Sequence, residues 1–300
     1  MYPKLVAATL VLIVIAGVAV TVSGEWWLTP QAANWHGVDA MLNATTMATG
    51  AVFVIINLVL AYTIVRYAAR DGHRASSEHH NAKLEWTLIG LTSAAIVTLL
   101  APGLVVYGQI VDAPDEEDDD ALVVDVVARQ WDWDYRYPGE DGELGTPRND
   151  LFGPGNPVGV DPEDETALQD RWVPGGPLML PVDRPVKLRL RSQDVIHIYF
   201  IPQFRVKQAA MPGMVNELWF EPSEVGEYDA VCTEFCGITH HSMVGPVQVV
   251  EDDEFEEWLE ERPTVAEAQG WGDEEDEAEQ DDDESDDEDE EADDGEVSGA

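Results

Sequence analysis

Within one short stretch the chain carries two thiols, an imidazole and a thioether, in the pattern Cys232-x-Glu234-x-Cys236-x3-His240-x2-Met243. A second imidazole, His197, lies upstream, preceded by Asp194 and followed by Pro202. Soft sulfur donors combined with imidazole select copper or zinc, and a neighbouring thioether favours copper. A Cys232–Cys236 disulfide leaves the spacing of His240 and Met243 unexplained. Zinc would take Cys and His and gain nothing from Met243. A mononuclear blue-copper site needs one Cys, two His and a weak axial Met, so it leaves the second cysteine idle. Two thiolates suggest instead two copper ions bridged by both sulfurs, with one histidine on each.

A loop carrying such donors must be held by a rigid scaffold, and residues 121–250 predict one made of strands. Residues 122–127, 186–191, 195–200 and 244–250 are short β-branched runs, several alternating with period two. Turns rich in Gly and Pro separate them, including Pro174-Gly175-Gly176-Pro177 and Met211-Pro212-Gly213-Met214. Many short strands without intervening helices predict an antiparallel sandwich or Greek-key barrel. Residues 138–171 read as an irregular surface insertion. Trp131, Trp133 and Tyr135 alternate, which puts them on one strand face.

Three apolar runs precede this region, at 5–22, 47–65 and 86–111. A helix rises ~1.5 Å per residue against a hydrocarbon core of ~30 Å, so each run can span or nearly span a bilayer. Arg66, Arg70, Arg74 and Lys83 lie between the second and third runs and Lys4 before the first, which predicts a cytoplasmic loop at 66–85. The loop from residue 24 to 44 carries Glu25 and Asp39 and no base, so it faces outward with everything after 111. The division expected is 1–24, a signal peptide or an extra transmembrane helix; 45–111, a two-helix anchor; 112–250, the extracytoplasmic metal domain; and 251–300, a largely disordered acidic tail.

Charge supports that division. The formal net charge is −44, which excludes a nucleic-acid binder working by phosphate neutralisation. Two cysteines exclude a disulfide scaffold. Residues 251–300 hold 28 of the 60 acids and a single base, Arg262. A short amphipathic helix is expected at 254–261 through Phe255, Trp258 and Leu259, with disorder from Gly272 onward. Residues 112–120 form a hydrophilic collar on leaving the membrane. The acid excess, with four lysines against twelve arginines, predicts a high-salt environment in which self-repulsion is screened.

Taken together, the cysteine loop, the upstream Ser192-x-Asp194-Val195-x-His197, the stretch His80-Asn81-Ala82-Lys83-Leu84-Glu85 and the run Arg129-Gln130-Trp131-Asp132-Trp133-Asp134-Tyr135 resemble subunit II of haem-copper cytochrome c oxidases over roughly residues 45–250. The resemblance implies a cupredoxin-like fold and a dinuclear CuA centre. Cys232 and Cys236 would bridge the metals, His197 and His240 would each ligate one, and Met243 and the backbone carbonyl of Glu234 would be weak axial ligands. It also implies that the Glu234 side chain reaches a magnesium ion at the boundary with subunit I. Electrons would enter at Trp131, and Glu85 would stand at the mouth of a proton path.

The implied function is to accept single electrons from a cytochrome c or a small blue-copper donor and pass them to haem centres in subunit I. That partner reduces oxygen to water and pumps protons; no constellation for holding haem is present in this chain. The same residues leave as rivals a membrane-anchored cupredoxin-type carrier and the CuA subunit of a nitrogen-oxide reductase. Two positions depart from the family pattern: Ala209 stands where an Asp is usual and Met214 where an Arg is usual, on the side expected to face subunit I.

Overall fold

A computed structural model describes residues 2–25, 29–69, 72, 80–111 and 121–271. The collar at 112–120, Arg70 and Arg74 of the predicted inner loop, and the chain from 272 onward lie outside the described residues.

Three long apolar helices come first: α1 (Tyr2–Ser23), α2 (His36–Arg66) and α3 (Ala82–Val111). Each is long and apolar enough to cross a membrane. Their side chains are mostly exposed, as expected of surface that lipid rather than water would cover. α1 packs along α2. α2 begins well ahead of its apolar run, and its first turn serves as a tether. Asp39 pairs with Arg205 at 2.7 Å, while Ala32 N–H and Asn34 N–H donate to the carbonyls of Gln203 and Glu221. At the end of α3, the Ile110 carbonyl accepts from Trp219 Nε1 at 3.0 Å. The start of α2 and the end of α3 are thereby fastened to the β domain.

That domain contains β1 (Leu122–Arg129), β2 (Asp132–Tyr137), β3 (Arg171–Val173), β4 (Leu178–Pro181), β5 (Val186–Ser192), β6 (His197–Ile201), β7 (Val206–Ala210), β8 (Asn216–Phe220), β9 (Gly226–Cys232) and β10 (Val244–Val250). They form two five-stranded sheets, ordered β3-β2-β1-β5-β8 and β4-β10-β9-β6-β7. Alternate residues of the facing strands, among them Val124, Val126, Leu188, Leu190, Tyr199 and Val247, are fully buried between the sheets. The sandwich expected from the sequence is present, mostly antiparallel, with two parallel pairs, β1 with β5 and β4 with β10. Period-two alternation encodes which face a residue occupies and carries no information on strand direction. Long crossovers supply the parallel neighbours.

The insertion between β2 and β3 contains a short helix, α4 (Glu165–Gln169), and covers the outer face of the first sheet. β1 is consequently buried on both faces: Asp125 and Val127 are as inaccessible as Val124 and Val126. Beyond β10 come α5 (Asp252–Glu260) and α6 (Val265–Gln269). α5 buries Phe255 and sets Trp258 edge-on to Tyr137 with ring centroids 5.4 Å apart. α6 begins in a reciprocal Thr264–Glu267 capping box and packs Val265 beside Trp172.

Candidate metal centre

The cysteine loop is built by a strand, a turn and a strand. Cys232 ends β9, the loop folds into a single helical turn at residues 240–242, and the chain leaves along β10. The two strands pair antiparallel, Val231 opposite Val244, so the loop is closed at its base. Cys232 N–H donates to the Met243 carbonyl at 3.1 Å. β6 pairs with β9 with Tyr199 opposite Cys232. That register brings His197 to the sulfurs from outside the loop.

The donor atoms converge. Cys232 Sγ and Cys236 Sγ lie 3.8 Å apart, and both cysteines are free. His197 Nδ1 is 3.9 Å from Cys232 Sγ, and His240 Nδ1 is 3.5 Å from Cys236 Sγ. Met243 Sδ is 3.2 Å from His197 Nδ1 and 3.7 Å from Cys236 Sγ. The Glu234 carbonyl lies 3.3 Å from Cys232 Sγ. His197, Cys232 and Cys236 present atoms all within 4.8 Å of one another and are buried. The sulfur separation far exceeds the ~2.05 Å of a disulfide. It is less than two metal–thiolate bonds of ~2.3 Å, so an ion can touch both sulfurs at once. The donor set therefore fits a soft metal of the copper type.

Electrostatics prepares the thiols unequally. Burial pushes the Cys232 thiol up, but hydrogen bonds from His197 and from the backbone of Glu234 and Ile198 outweigh it and bring the value down to about 6. Burial and the adjacent Cys232 push Cys236 up to about 11. Burial opposes the charged form of His197, yet Cys232 and Asp194 hold its imidazole above the ordinary value.

Around the donors, Trp131 lies in the β1–β2 turn, 37% exposed, and its Nε1–H donates to the Cys236 carbonyl at 3.2 Å. Trp133 and Tyr135 point instead into the core and are 1% and 0% exposed. Glu234 is exposed beside the sulfurs. Glu85 is not brought to this centre: it opens α3 at the helix end away from the β domain, with His80 Nδ1 at 3.1 Å. Gln130 and Asp194, which the ligand pattern does not single out, contact the ligand-bearing loops directly. Their only sequence signal is membership of the two flanking motifs. Gly237 is required where it stands: at φ +132°, an added Cβ would lie 2.9 Å from Trp131 and Gln130 side-chain atoms.

Residues 122–251 match the family described as "Cytochrome C oxidase subunit II, periplasmic domain". The chain is 39% identical over 261 residues to an "Alternative cytochrome c oxidase subunit 2" of Bradyrhizobium diazoefficiens, covering 87% of this chain and 93% of that one. It is 28% identical to a "Cytochrome c oxidase subunit 2" of Cereibacter sphaeroides, covering 77% of each. Among solved structures, the periplasmic domain of subunit II of cytochrome oxidase from Bradyrhizobium japonicum is similar at 30% identity and a TM-score of 0.36, over 49% of this chain and 94% of that one.

Proposed function

The chain belongs to the cytochrome c oxidase subunit II family, and from that premise we propose how its own residues hold copper and move electrons. It is the copper-bearing, electron-accepting subunit of an oxidoreductase complex, working with the haem-containing subunit I, and it is a membrane protein. Copper bound at the cysteine loop supplies a one-electron acceptor and donor.

In our reading the centre is dinuclear. Cys232 and Cys236 would hold it through their thiolates, His197 and His240 would each offer Nδ1, and Met243 Sδ and the Glu234 carbonyl would be the weaker donors. One observation carries this: two free sulfurs 3.8 Å apart have a histidine Nδ1 at either end of the pair. The closed β9–β10 base, with Cys232 N–H on the Met243 carbonyl, would hold these donors in place, and bound copper would supply one-electron chemistry with little movement of the loop.

Trp131 is the surface group at which an electron arrives, because it is part-exposed and bonded directly to the Cys236 carbonyl. The exposed Glu234 side chain is the candidate for a magnesium ion shared with subunit I. Glu85 is the candidate mouth of a proton path. The donor is a cytochrome c or a small blue-copper protein. The helices at 45–111 form a membrane hairpin whose inner loop, 66–85, carries Arg66 and Lys83. The copper domain is extracytoplasmic, tied to the opposite helix ends through Asp39–Arg205 and Trp219–Ile110. Residues 1–24 are then a third spanning helix or a cleaved signal.

The test is metal analysis and electron paramagnetic resonance of the full-length chain loaded with copper in detergent. Two coppers per chain sharing one delocalised unpaired electron are expected. One copper with a blue mononuclear spectrum would overturn the dinuclear assignment.

A further inference from the structure

The geometry points to Asp194 and Gln130 as positioning residues that strap the two ligand-bearing loops of the copper centre to each other. This rests on the copper reading above and goes beyond it, since neither side chain is a ligand.

The Asp194 carboxylate faces two ways. Oδ1 accepts from His197 Nε2 at 2.8 Å and from Val195 N–H at 2.6 Å. Oδ2 accepts from Gln130 N–H at 2.6 Å. Gln130 continues the strap: its Nε2 donates to the Cys236 carbonyl at 2.6 Å, beside the bond from Trp131 Nε1 to the same oxygen. An unbroken path therefore runs from the His197 ring through Asp194 and Gln130 to the backbone of Cys236. These contacts join residues 64 and 106 positions apart, so nothing local in the chain enforces them.

Two consequences follow for the centre. An imidazole whose Nε2–H is committed to a carboxylate presents Nδ1 as the lone-pair nitrogen, and here Nδ1 is the atom that faces Cys232 and Met243. Asp194 thus selects the tautomer that can bind metal. The Trp133 ring, edge-on to His197 at 5.9 Å, limits rotation on another side. Gln130 acts at the other end. Two side-chain N–H donors on the Cys236 carbonyl fix the peptide that carries one sulfur, whereas the Cys232 peptide is held by the sheet, its N–H on the Met243 carbonyl and the next N–H on the Ile198 carbonyl. The two sulfurs are therefore held by different means, Cys232 by strand pairing and Cys236 by side-chain donors of which Gln130 is one.

The test uses the full-length chain in detergent with Asp194→Ala, Asp194→Asn and Gln130→Leu. Loss of a group that orients a metal-bound histidine costs about 10- to 100-fold in metal affinity, and that loss is expected for Asp194→Ala. Asp194→Asn, which keeps a carbonyl acceptor, should recover part of it. Gln130→Leu should keep both coppers yet change the copper hyperfine pattern and the midpoint potential. In the metal-free chain, ¹⁵N resonances of labelled histidine should show His197 protonated at Nε2, and a mixture of tautomers in Asp194→Ala. Wild-type copper affinity, potential and hyperfine pattern in all three variants, with an unchanged His197 tautomer, would overturn the proposal. Failure of the wild-type chain to bind two coppers would instead strike the copper reading, while the tautomer measurement would still decide the strap.

Discussion

Asp125→Ala should be among the most destabilising single changes outside the metal centre. Asp125 lies on β1 directly opposite Arg136 of β2 and Arg189 of β5. Its Oδ1 accepts from Arg189 Nε at 2.9 Å, and its Oδ2 accepts from Arg191 Nη2 at 2.9 Å and from Arg136. The side chains of Asp125, Arg136 and Arg191 are completely buried. The guanidinium groups then grip the insertion: Arg136 and Arg189 donate to the Gly145 carbonyl, and Arg191 to those of Val158 and Gly159. Removing the carboxylate leaves Arg136 its pair with Asp170 but takes from Arg189 and Arg191 the carboxylate they share. Deleting one partner of a buried ion pair costs about 3–5 kcal/mol. Glu256→Ala, which breaks a partly exposed pair with Arg184, should cost less than ~1 kcal/mol and serves as the comparison.

Salt and pH separate the two cases further. Buried pairs are screened far less than exposed ones, so the Asp125 penalty should persist from dilute buffer to molar salt. Burial raises the Asp125 carboxyl, but Arg136, Arg191 and Arg189 outweigh it and hold it well below the ordinary range. A depressed folded-state value means that the contribution is present above the unfolded value of ~3.9 and is lost as the pH falls below it. Wild type and variant should therefore converge in strong acid. The assay is urea unfolding of the full chain in detergent, followed by tryptophan fluorescence, with limited proteolysis of residues 138–170 as a local reporter. A penalty below ~1 kcal/mol, or one abolished by molar salt, would refute the view that buried charge pins the insertion.

Other outcomes are expected from the same reasoning. Gly237→Ala places a side chain at φ +132° against Trp131, a strain of about 1–3 kcal/mol, and should slow reduction by a protein donor more than reduction by ascorbate; equal slowing by both would count against Trp131 as the point of arrival. Phe255→Ala should cost about 3–5 kcal/mol and release α5, seen as new cleavage near residue 255, because the ring is 1% exposed between Tyr137 and Trp258. Copper loading of the metal-free chain should depend on pH through the thiols. With Cys232 at about 6 and Cys236 at about 11, loading at pH 8 should release close to one thiol proton. Below pH 6 release should approach two and affinity should fall more steeply. Unbuffered titration reads this directly, and release of two protons at pH 8 would contradict the inequivalence of the thiols.

Most of the candidate ligand set could be read from the chain because most of it is local. Cys232, Cys236, His240 and Met243 sit in one loop, so their spacing already states their proximity, and Cys236 Sγ does meet His240 Nδ1 at 3.5 Å. The apolar runs were equally legible, since spanning a bilayer demands length and composition rather than partners. His197 was suggested by its motif, but its arrival at the sulfurs depends on the β6–β9 register. Asp194 stands three positions before His197, but Gln130 was opaque because its hydrogen bonds, to Asp194 and to Cys236, cross 64 and 106 positions and leave no local pattern.

The buried charges show the limit most clearly. In sequence, Asp125, Arg189 and Arg191 alternate with apolar residues and look like the solvated face of ordinary strands. Folding lays an irregular insertion over that face, and the same residues become an inaccessible ion cluster. Residue type and spacing carry the chemistry of a loop and the polarity of a strand. Which segment covers a face, which strands run parallel, and which distant carboxylate meets a ligand follow only from how the whole chain packs, because those contacts are made between surfaces that no stretch of sequence contains by itself.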